Sequence, residues 1–309
     1  MKLSIIIVSW KVRELLRESL SALFRETKLP RNELEVIVVD NDSGDGTTEM
    51  VRTEFVDVKL IANDKNAGFA AANNLALPLC TAKFVLLLNP DTVVLSHALD
   101  TLVARMEARP EVWAMGCRLL NGDGTLQRWT GGAFPTLCNL STHYLFVDRL
   151  LPRRLRPEPL YLDRDVEQET EVAWVSGACM MLRRERLGER IFDEAFFMYG
   201  EDMELCRRLR CRGGKVIYCP AASIVHYQGA SMRQQSGDIL HSSLKGPRRF
   251  FAMTHGKGQL CLYDLITLTG FLLRWLAYLA GAITGSSRCL NKASASREYL
   301  AIAWKLVRS

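Results

Sequence analysis

The sequence predicts an α/β protein with a mostly parallel central sheet flanked by helices and a helical C-terminal extension. Three observations carry that reading. Over the first 120 residues, β-branched apolar runs alternate with segments of helical period, the pattern of βαβ units. Acidic or amide-rich turns follow several of those runs, at the strand ends where open α/β sheets bind ligands. Beyond about residue 245 the chain becomes basic, then long and apolar.

Leu3–Ser9 reads as a buried strand, and Val12–Phe24 as a helix with apolar residues at 12, 15, 16, 20, 23 and 24. The pattern continues with strand Leu34–Val39, helix Thr47–Phe55, strand Val58–Ala62 and helix Gly68–Leu77. Strand Phe84–Leu88, helix His97–Arg109 and strand Val112–Gly116 complete the alternation. Pro152–Pro159, rich in Pro and Arg, and the polar segment to about Glu171 read as a loop. Val172–Leu182 is strand-like, and Met203–Arg212 is helical, ending at Gly213-Gly214 as helix C-termini favour. Val216–Tyr218 and Ser223–His226 read as two short strands. Leu260–Ile283 has nearly the length of a membrane span but is interrupted by Asp264 and Arg274. The basic flanks favour a helix or hairpin lying at a membrane surface over one packed on the core.

Bulk composition narrows the function. The chain has 309 residues, 48% hydrophobic and 24% charged, with 40 Lys and Arg against 34 Asp and Glu. A net charge of +6 without a nucleic-acid-binding signature argues for no nucleic acid as partner; an anionic membrane surface or a phosphorylated substrate suits it. The nine cysteines form no CxxC pair, which argues against a zinc ribbon or a thioredoxin-like motif. Their odd number favours a reducing compartment. Leu3–Val8 is too short for a signal-peptide core, so a cytoplasmic location is expected.

Four punctuations carry candidate chemistry. Asp40-Asn41-Asp42-Ser43-Gly44 follows Val38-Val39. It reads as a strand-to-helix turn or as an acid contacting a base or ribose. A calcium loop does not fit, because Asp45 and Val51 occupy the positions that need Gly and Glu. Asn89-Pro90-Asp91 follows Val85–Leu88, and Asp91 stands where a hard cation meets diphosphate oxygens. Tyr199-Gly200-Glu201-Asp202 opens a helix whose dipole favours an ionised Asp202 able to accept a proton. Ile224-Val225-His226 places an imidazole that becomes a metal contact if paired with Asp91. Small residues in Asn66–Asn74 permit close approach of a ligand to backbone. No GxGxxG follows the first strand and no GxxxxGK[ST] occurs, which argues against dinucleotide-binding and P-loop enzymes.

In this order and spacing, these motifs resemble the family 2 inverting glycosyltransferases of the GT-A fold. The matching segments are Ser4–Ser9, Val38–Gly46, Asn66–Asn74, Leu86–Asp91, Trp174–Arg183, Phe196–Arg207 and Ile224–Ser231. They cover about residues 1–255, with Phe196–Cys206 the strongest part, and look most like the bacterial rhamnosyltransferase branch. The resemblance implies a catalytic domain over 1–245, with a nucleotide-binding half to about 117 and an acceptor half over 118–245. Residues 246–309 are expected, from their basic and then apolar composition, to form a helical region that associates with a membrane.

The same resemblance implies roles for single residues. Asp40, with Asp42 beside it, contacts the base or ribose; Gly68, Phe69 and Asn73 line the nucleotide pocket. Asp91 is the last residue of a DxD metal motif whose first acid is here Asn89, a weaker ligand. Trp174, Ser176 and Gly177 lie beneath donor sugar and acceptor. Asp202 is the catalytic base with Glu201 beside it, and His226 coordinates the metal, Mg²⁺ or Mn²⁺, with Asp91. The implied partners are a nucleotide-diphospho-sugar donor and a polyprenyl-linked or polysaccharide acceptor, at the inner face of the cytoplasmic membrane. dTDP-rhamnose is the expected donor, with UDP-hexoses as the alternative. A sugar nucleotidyltransferase would need an N-terminal Gly-rich loop ending in Arg, which Ser9-Trp10-Lys11 does not offer. A non-catalytic scaffold is disfavoured by the joint presence of Asp91, Asp202 and His226.

Overall fold

The computed structural model describes the chain except residues 146, 148–151, 163–165, 228–235, 284–285 and 309. The later part of the matching segment Ile224–Ser231 and three residues of the loop before Glu171 therefore lie outside the described residues. The chain divides into two compact units, Met1–Gly132 with Tyr161–Ser236, and Ala133–Leu160 with Gly237–Ser309. The expected boundary at 245 falls inside a continuous helix, Ser236–Thr254, and residues 133–160 group with the C-terminal helices.

The first unit begins with strands β1 (Leu3–Ser9), β2 (Leu34–Asp40), β3 (Lys59–Ala62) and β4 (Phe84–Leu88). Helices α1 (Arg13–Glu26), α2 (Thr47–Glu54) and α3 (Phe69–Ala76) connect them. Then follow β5 (Thr92–Val94), α4 (Ala98–Ala108), β6 (Val112–Leu120) and the two-residue β7 (Gly131–Gly132). After a helix of the second unit, α5 (Leu137–Leu145), come β8 (Thr170–Glu171), β9 (Trp174–Val175), β10 (Cys179–Arg183), α6 (Glu201–Cys211) and β11 (Lys215–His226). The main sheet runs β3-β2-β1-β4-β10-β6-β11-β5, with β8 on β11.

Pairing is parallel from β3 to β4 and again between β6 and β11. It is antiparallel wherever β10, β5 or β8 takes part. The sheet is thus mixed, where the alternation predicted a mostly parallel one. The physical reason lies in residues 121–178, which leave the C-terminal end of β6 and re-enter at β10 without a helical crossover to the opposite edge. The short β7–β9 ribbon makes that return. Expected as two strands, Val216–His226 is one strand whose register shifts between Cys219 and Ser223. Pro220, which lacks an N–H, stands at that irregularity.

Register places every functional strand end on one edge. Ser9 pairs with Asp40, Ile7 with Leu88, Leu88 with Cys179, and His226 with Thr92. Leu3, Ile5 and Ile7 of β1 and Phe84, Leu86 and Leu88 of β4 are buried in one core with Leu16, Leu20, Leu99 and Leu102. A fully partnered carboxylate sits near the start of β2. Glu35 accepts from Ser4 Oγ at 2.6 Å, Lys59 Nζ at 2.5 Å and the Thr81 amide at 3.1 Å.

The second unit consists of α5, α7 (Ser236–Thr254), α8 (Lys257–Ile283) and α9 (Ser287–Arg308). Leu244, Phe271, Ala303 and Leu306 form its small core, with Tyr144 and Tyr299 packed on Phe271. Arg248 grips Asp264 through two bonds of 2.7 and 2.8 Å. Arg274 donates to the Tyr144 and His143 carbonyls, satisfying the last turn of α5. Both charges that interrupt the apolar run are therefore engaged within the unit.

Burial alone would raise the Glu35 pKa, but Lys59, the Ser4 hydroxyl and the Thr81 amide overcome it and leave it lowered. A lowered folded-state pKa adds stability above the carboxylate range and loses it as pH falls. Glu35→Ala strands the buried Ser4 and Thr81 donors and is expected to lower the unfolding free energy by about 2 kcal/mol at pH 7. Urea denaturation should show that gap narrowing towards pH 3; a gap independent of pH would refute the ionic part of the account.

Candidate active site

Four side chains form the tightest cluster at the strand-end edge. His226 Nε2 lies 3.3 Å from Asp91 Oδ1 and 3.3 Å from Asn89 Nδ2. Gln127, buried in the turn after β6, clamps the same histidine twice. Its Nε2 donates to the His226 carbonyl at 2.5 Å, and its Oε1 faces Nδ1 at 3.0 Å. Because the amide NH₂ is used on the carbonyl, Oε1 must accept, so Nδ1 carries the proton and Nε2 presents its lone pair. A second group that fixes tautomer and ring angle in this way is the usual support of a metal-binding histidine. The Tyr227 amide donates to the Asp91 carbonyl at 2.9 Å, and Thr92 Oγ1 donates to the Asn89 carbonyl at 2.7 Å.

Among the described residues no three His, Cys, Asp or Glu side chains converge as a metal cage. Asp91 and His226 are two. Two protein ligands suit a cation whose remaining positions are filled by diphosphate oxygens and water. The donor set, one carboxylate and one imidazole nitrogen both aimed at the same small space, fits such an ion.

At the end of β2, Asp40 is buried. Thr48 Oγ1 donates to its Oδ2 at 2.8 Å, while Oδ1 has no partner among the described residues. An unpaired buried carboxylate oxygen is costly unless a ligand donor completes it. Asn41 ties this turn to the segment before α3. It accepts from Asn63 Nδ2 at 2.9 Å and the Ala67 amide at 3.0 Å, and donates to Asn66 Oδ1 at 2.8 Å. Asp42 is exposed on a left-handed backbone turn, φ 65°. Gly68 is required for two reasons: its φ is +85°, and a Cβ there would meet Phe197 Cδ2 at 2.6 Å and its carbonyl at 2.7 Å. The Phe69 amide donates to that carbonyl at 2.8 Å, and Asn73 Nδ2 caps the Phe69 carbonyl at 2.9 Å.

The second acidic group stands at the start of α6. Tyr199 and Gly200 are both left-handed, φ 68° and 91°, and turn the chain so that Glu201 and Asp202 open the helix. Burial pushes the Asp202 pKa up to about 6, against the opposing effect of the Met203 and Gly177 backbone amides. Glu201 is more deeply buried, and burial and then the Asp202 charge raise it well above the carboxylate range. Its Oε2 has no partner among the described residues. Both carboxyls of the pair therefore hold a proton more tightly than a solvated carboxyl does.

Residues 176–178 join the two acidic centres. The Asn89 amide donates to the Ala178 carbonyl at 3.0 Å, and the Gly177 amide supports Asp202. Ser176 Oγ accepts from the Ala178 amide at 3.2 Å, and the Ser176 amide donates to the Thr130 carbonyl at 2.9 Å. A Cβ on Gly177 would lie 3.3 Å from Phe69 Cε1, so the α3 segment reaches the same place. Trp174 is only 3% exposed and meets Tyr161 edge-on.

Sequence reasoning missed Gln127, Asn41, Thr48 and Phe197. Asn41 and Phe197 lie inside segments already singled out, but nothing in one dimension distinguishes them from neighbours. Gln127 belongs to a polar turn with no motif, and its role exists only through contact with a residue 99 positions away.

Comparison with known proteins is consistent across sequence and fold. An N-acetylglucosaminyl-diphospho-decaprenol L-rhamnosyltransferase of Mycobacterium tuberculosis is 26% identical over 265 residues, spanning 82% of this chain and 85% of its own. The rhamnosyltransferase WbbL of Escherichia coli is 26% identical over 193 residues, 60% of this chain and 70% of its own. Among solved structures, a Pyrobaculum calidifontis mannosyltransferase, in complex with GDP-Man and Mn²⁺, superposes with a TM-score of 0.61 at 19% identity. It covers 98% of this chain and 86% of that one. Staphylococcus aureus TarS 1–349 gives 0.53 at 16% identity, over 100% and 92%. These likenesses show the GT-A-like fold. The family model described as glycosyl transferase family 2 matches residues 4–190, and the chain belongs to that family.

Proposed function

We propose that this chain is an inverting, metal-dependent glycosyltransferase that moves L-rhamnose from dTDP-rhamnose to a hydroxyl of a polyprenyl-diphosphate-linked sugar. The observation that carries the reaction is the placement of an ionisable Asp202 and the Asp91–His226 pair on one sheet edge, linked through residues 176–178. The sugar and acceptor follow the relatives, two of which are rhamnosyltransferases and one of which acts on a diphospho-decaprenol acceptor.

Asp202 accepts the proton of the acceptor hydroxyl as its oxygen bonds to the sugar C1. The C1–O bond to the diphosphate breaks on the opposite face, and the nucleoside diphosphate leaves with the electron pair. Asp91 and His226 would hold a Mg²⁺ or Mn²⁺, which would supply positive charge to the departing diphosphate. Gln127 keeps Nε2 of His226 available for it. Asn89, aimed at the same nitrogen, adds a polar but uncharged neighbour. Asp40, whose buried Oδ1 lacks a donor, binds the base or ribose, with Asn41 holding its loop against Gly68.

A UDP-hexose donor is the second reading. A UDP-glucose-dependent glucosyltransferase acting on diphosphoundecaprenol-linked GlcNAc, WfgD of Escherichia coli, is 30% identical over 105 residues. A donor panel of dTDP-rhamnose, UDP-glucose, UDP-galactose, UDP-GlcNAc and GDP-mannose decides between them. Acceptor-dependent nucleotide release is expected from dTDP-rhamnose alone and is abolished by EDTA and restored by Mn²⁺ or Mg²⁺. Release from a UDP-sugar instead would replace the donor, and full activity in EDTA would remove the metal.

The second unit is proposed to lie on the membrane surface. α8 is long and apolar enough to cross a membrane, with mean hydropathy 1.5, and only 17% of its apolar window is buried. Leu262, Leu265, Leu272, Leu276 and Ile283 are exposed at helical spacing, while Asp264 and Arg274 bond inward. Arg288, Lys292, Lys305 and Arg308 on α9 add basic charge. An apolar stripe with basic neighbours matches an interfacial helix. The triple variant Leu265→Gln, Leu272→Gln, Leu276→Gln should lose flotation with anionic phospholipid vesicles while unfolding cooperatively as before. Unchanged flotation would exclude this face.

Asp202→Asn is expected to lower turnover by about 10²–10⁴-fold with donor binding intact. In the wild type, kcat/KM should fall as pH drops through about 6, where Asp202 takes its proton. The raised pKa also has a sign for stability. The folded state binds this proton more tightly than the unfolded one, so ionised Asp202 opposes folding above pH 6 and not below the carboxylate range. Asp202→Asn should therefore be at least as stable as wild type at pH 7.5, with the advantage gone near pH 4. Near-normal turnover in Asp202→Asn would end the base assignment.

A further inference from the structure

The turn Gln127–Thr130 touches both halves of the site. Gln127 holds His226, and the Thr130 carbonyl accepts from the Ser176 amide, one residue before the Gly177 amide that supports Asp202. The turn is closed on itself by Thr130 Oγ1 donating to the Gln127 carbonyl at 2.7 Å, and the Gln127 amide is anchored to Leu119 at 2.9 Å. Between these anchors stands Trp129, 47% exposed. Its ring centroid is 4.2 Å from Tyr161, and Tyr161 in turn meets buried Trp174 edge-on at 6.0 Å.

Resting on the glycosyl-transfer reading above, we propose that Trp129 is the acceptor platform: its open face stacks on the apolar C–H face of the acceptor sugar and presents a ring hydroxyl to Asp202. The Trp129 indole stands half open to water on this turn, a broad aromatic surface accessible to a ligand. Here the ring is braced by Tyr161, itself backed by Trp174, so less side-chain entropy remains to be lost when a ligand arrives. The axial hydrogens of a pyranose are apolar and faintly positive, complementary to an aromatic face, while the sugar hydroxyls stay at the wet rim. The turn that carries Trp129 is bonded to the segment beneath the base, the Ser176 amide to the Thr130 carbonyl and the adjacent Gly177 amide to Asp202. The buried Trp174, which the sequence had placed at the sugar, becomes the back of this stack.

The test uses a short-chain prenyl-diphospho-GlcNAc as acceptor, with the full-length chain and saturating dTDP-rhamnose. Trp129→Ala should raise the acceptor KM about tenfold, the scale of one aromatic stacking contact. Trp129→Phe should return it to within about threefold of wild type. Calorimetric dTDP binding should be the same in all three proteins. An acceptor KM unchanged within twofold in Trp129→Ala overturns the proposal, as does an equal loss of dTDP affinity, which would move Trp129 to the donor side. Titrating the same acceptor against intrinsic tryptophan fluorescence separates the two levels of the argument. Binding that depends on Trp129 without turnover would refute the rhamnosyl reading and keep the platform. No binding by wild type would refute the platform for this acceptor.

Discussion

The insertion of β10 between β4 and β6, antiparallel to both, is the constraint on which the site depends. Opposite pairing makes the start of β10 coincide with the end of β4, Cys179 against Leu88. Residues 176–178 therefore arrive beside Asn89–Asp91, and Ala178 accepts from the Asn89 amide. Had the chain crossed over and paired in parallel, as the first half of the sheet does, the same residues would leave from the far edge. The Gly177 amide could then not support Asp202, and the two acidic centres would share no segment. Gly116 serves the same pairing, because a Cβ there would lie 2.6 Å from Val175 Cβ.

The edge holds its polar groups in two different electrostatic conditions. Around His226, Gln127 supplies both a donor and an acceptor, so the imidazole is oriented and its remaining nitrogen faces Asp91. At the start of α6, burial raises the pKa of both Glu201 and Asp202, even against the backbone amides that reach Asp202. Such an arrangement destabilises the fold to keep a basic carboxylate near neutral pH, a common property of functional sites. Asp40 repeats the theme with one satisfied and one open oxygen. Glu35, by contrast, is equally buried but fully partnered, and its pKa falls. Burial is thus offset at Glu35 by a lysine, a hydroxyl and an amide, and is not offset at the α6 pair.

The second unit resolves an ambiguity of composition. Asp264 and Arg274 interrupt an apolar run, and in one dimension such charges argue against a span without saying which way they face. In the structure Arg248 and the α5 carbonyls take up those charges on the inward side. The leucines are left as a continuous outer stripe. Charge and apolarity are thus sorted by helical angle, which the average over a window conceals.

The sequence by itself determined the α/β alternation, the buried strands β1, β2 and β4, and the candidate residues Asp40, Asp91, Asp202 and His226. Each of these is written locally, in hydrophobic period or in turn chemistry after a strand. Most helix boundaries were also legible, because periodicity and the Gly213-Gly214 terminator act within a few residues. Tertiary structure alone decided the mixed pairing, the bent single strand through Pro220, the clamp by Gln127, the burial of Trp174 and the exposure of Trp129. Strand direction depends on which edge the chain re-enters, and the local pattern of an apolar strand is the same either way. Gln127 and His226 are 99 residues apart, and no periodicity couples residues at that distance. What a side chain is became readable from its neighbours in sequence; what it touches depended on its neighbours in space.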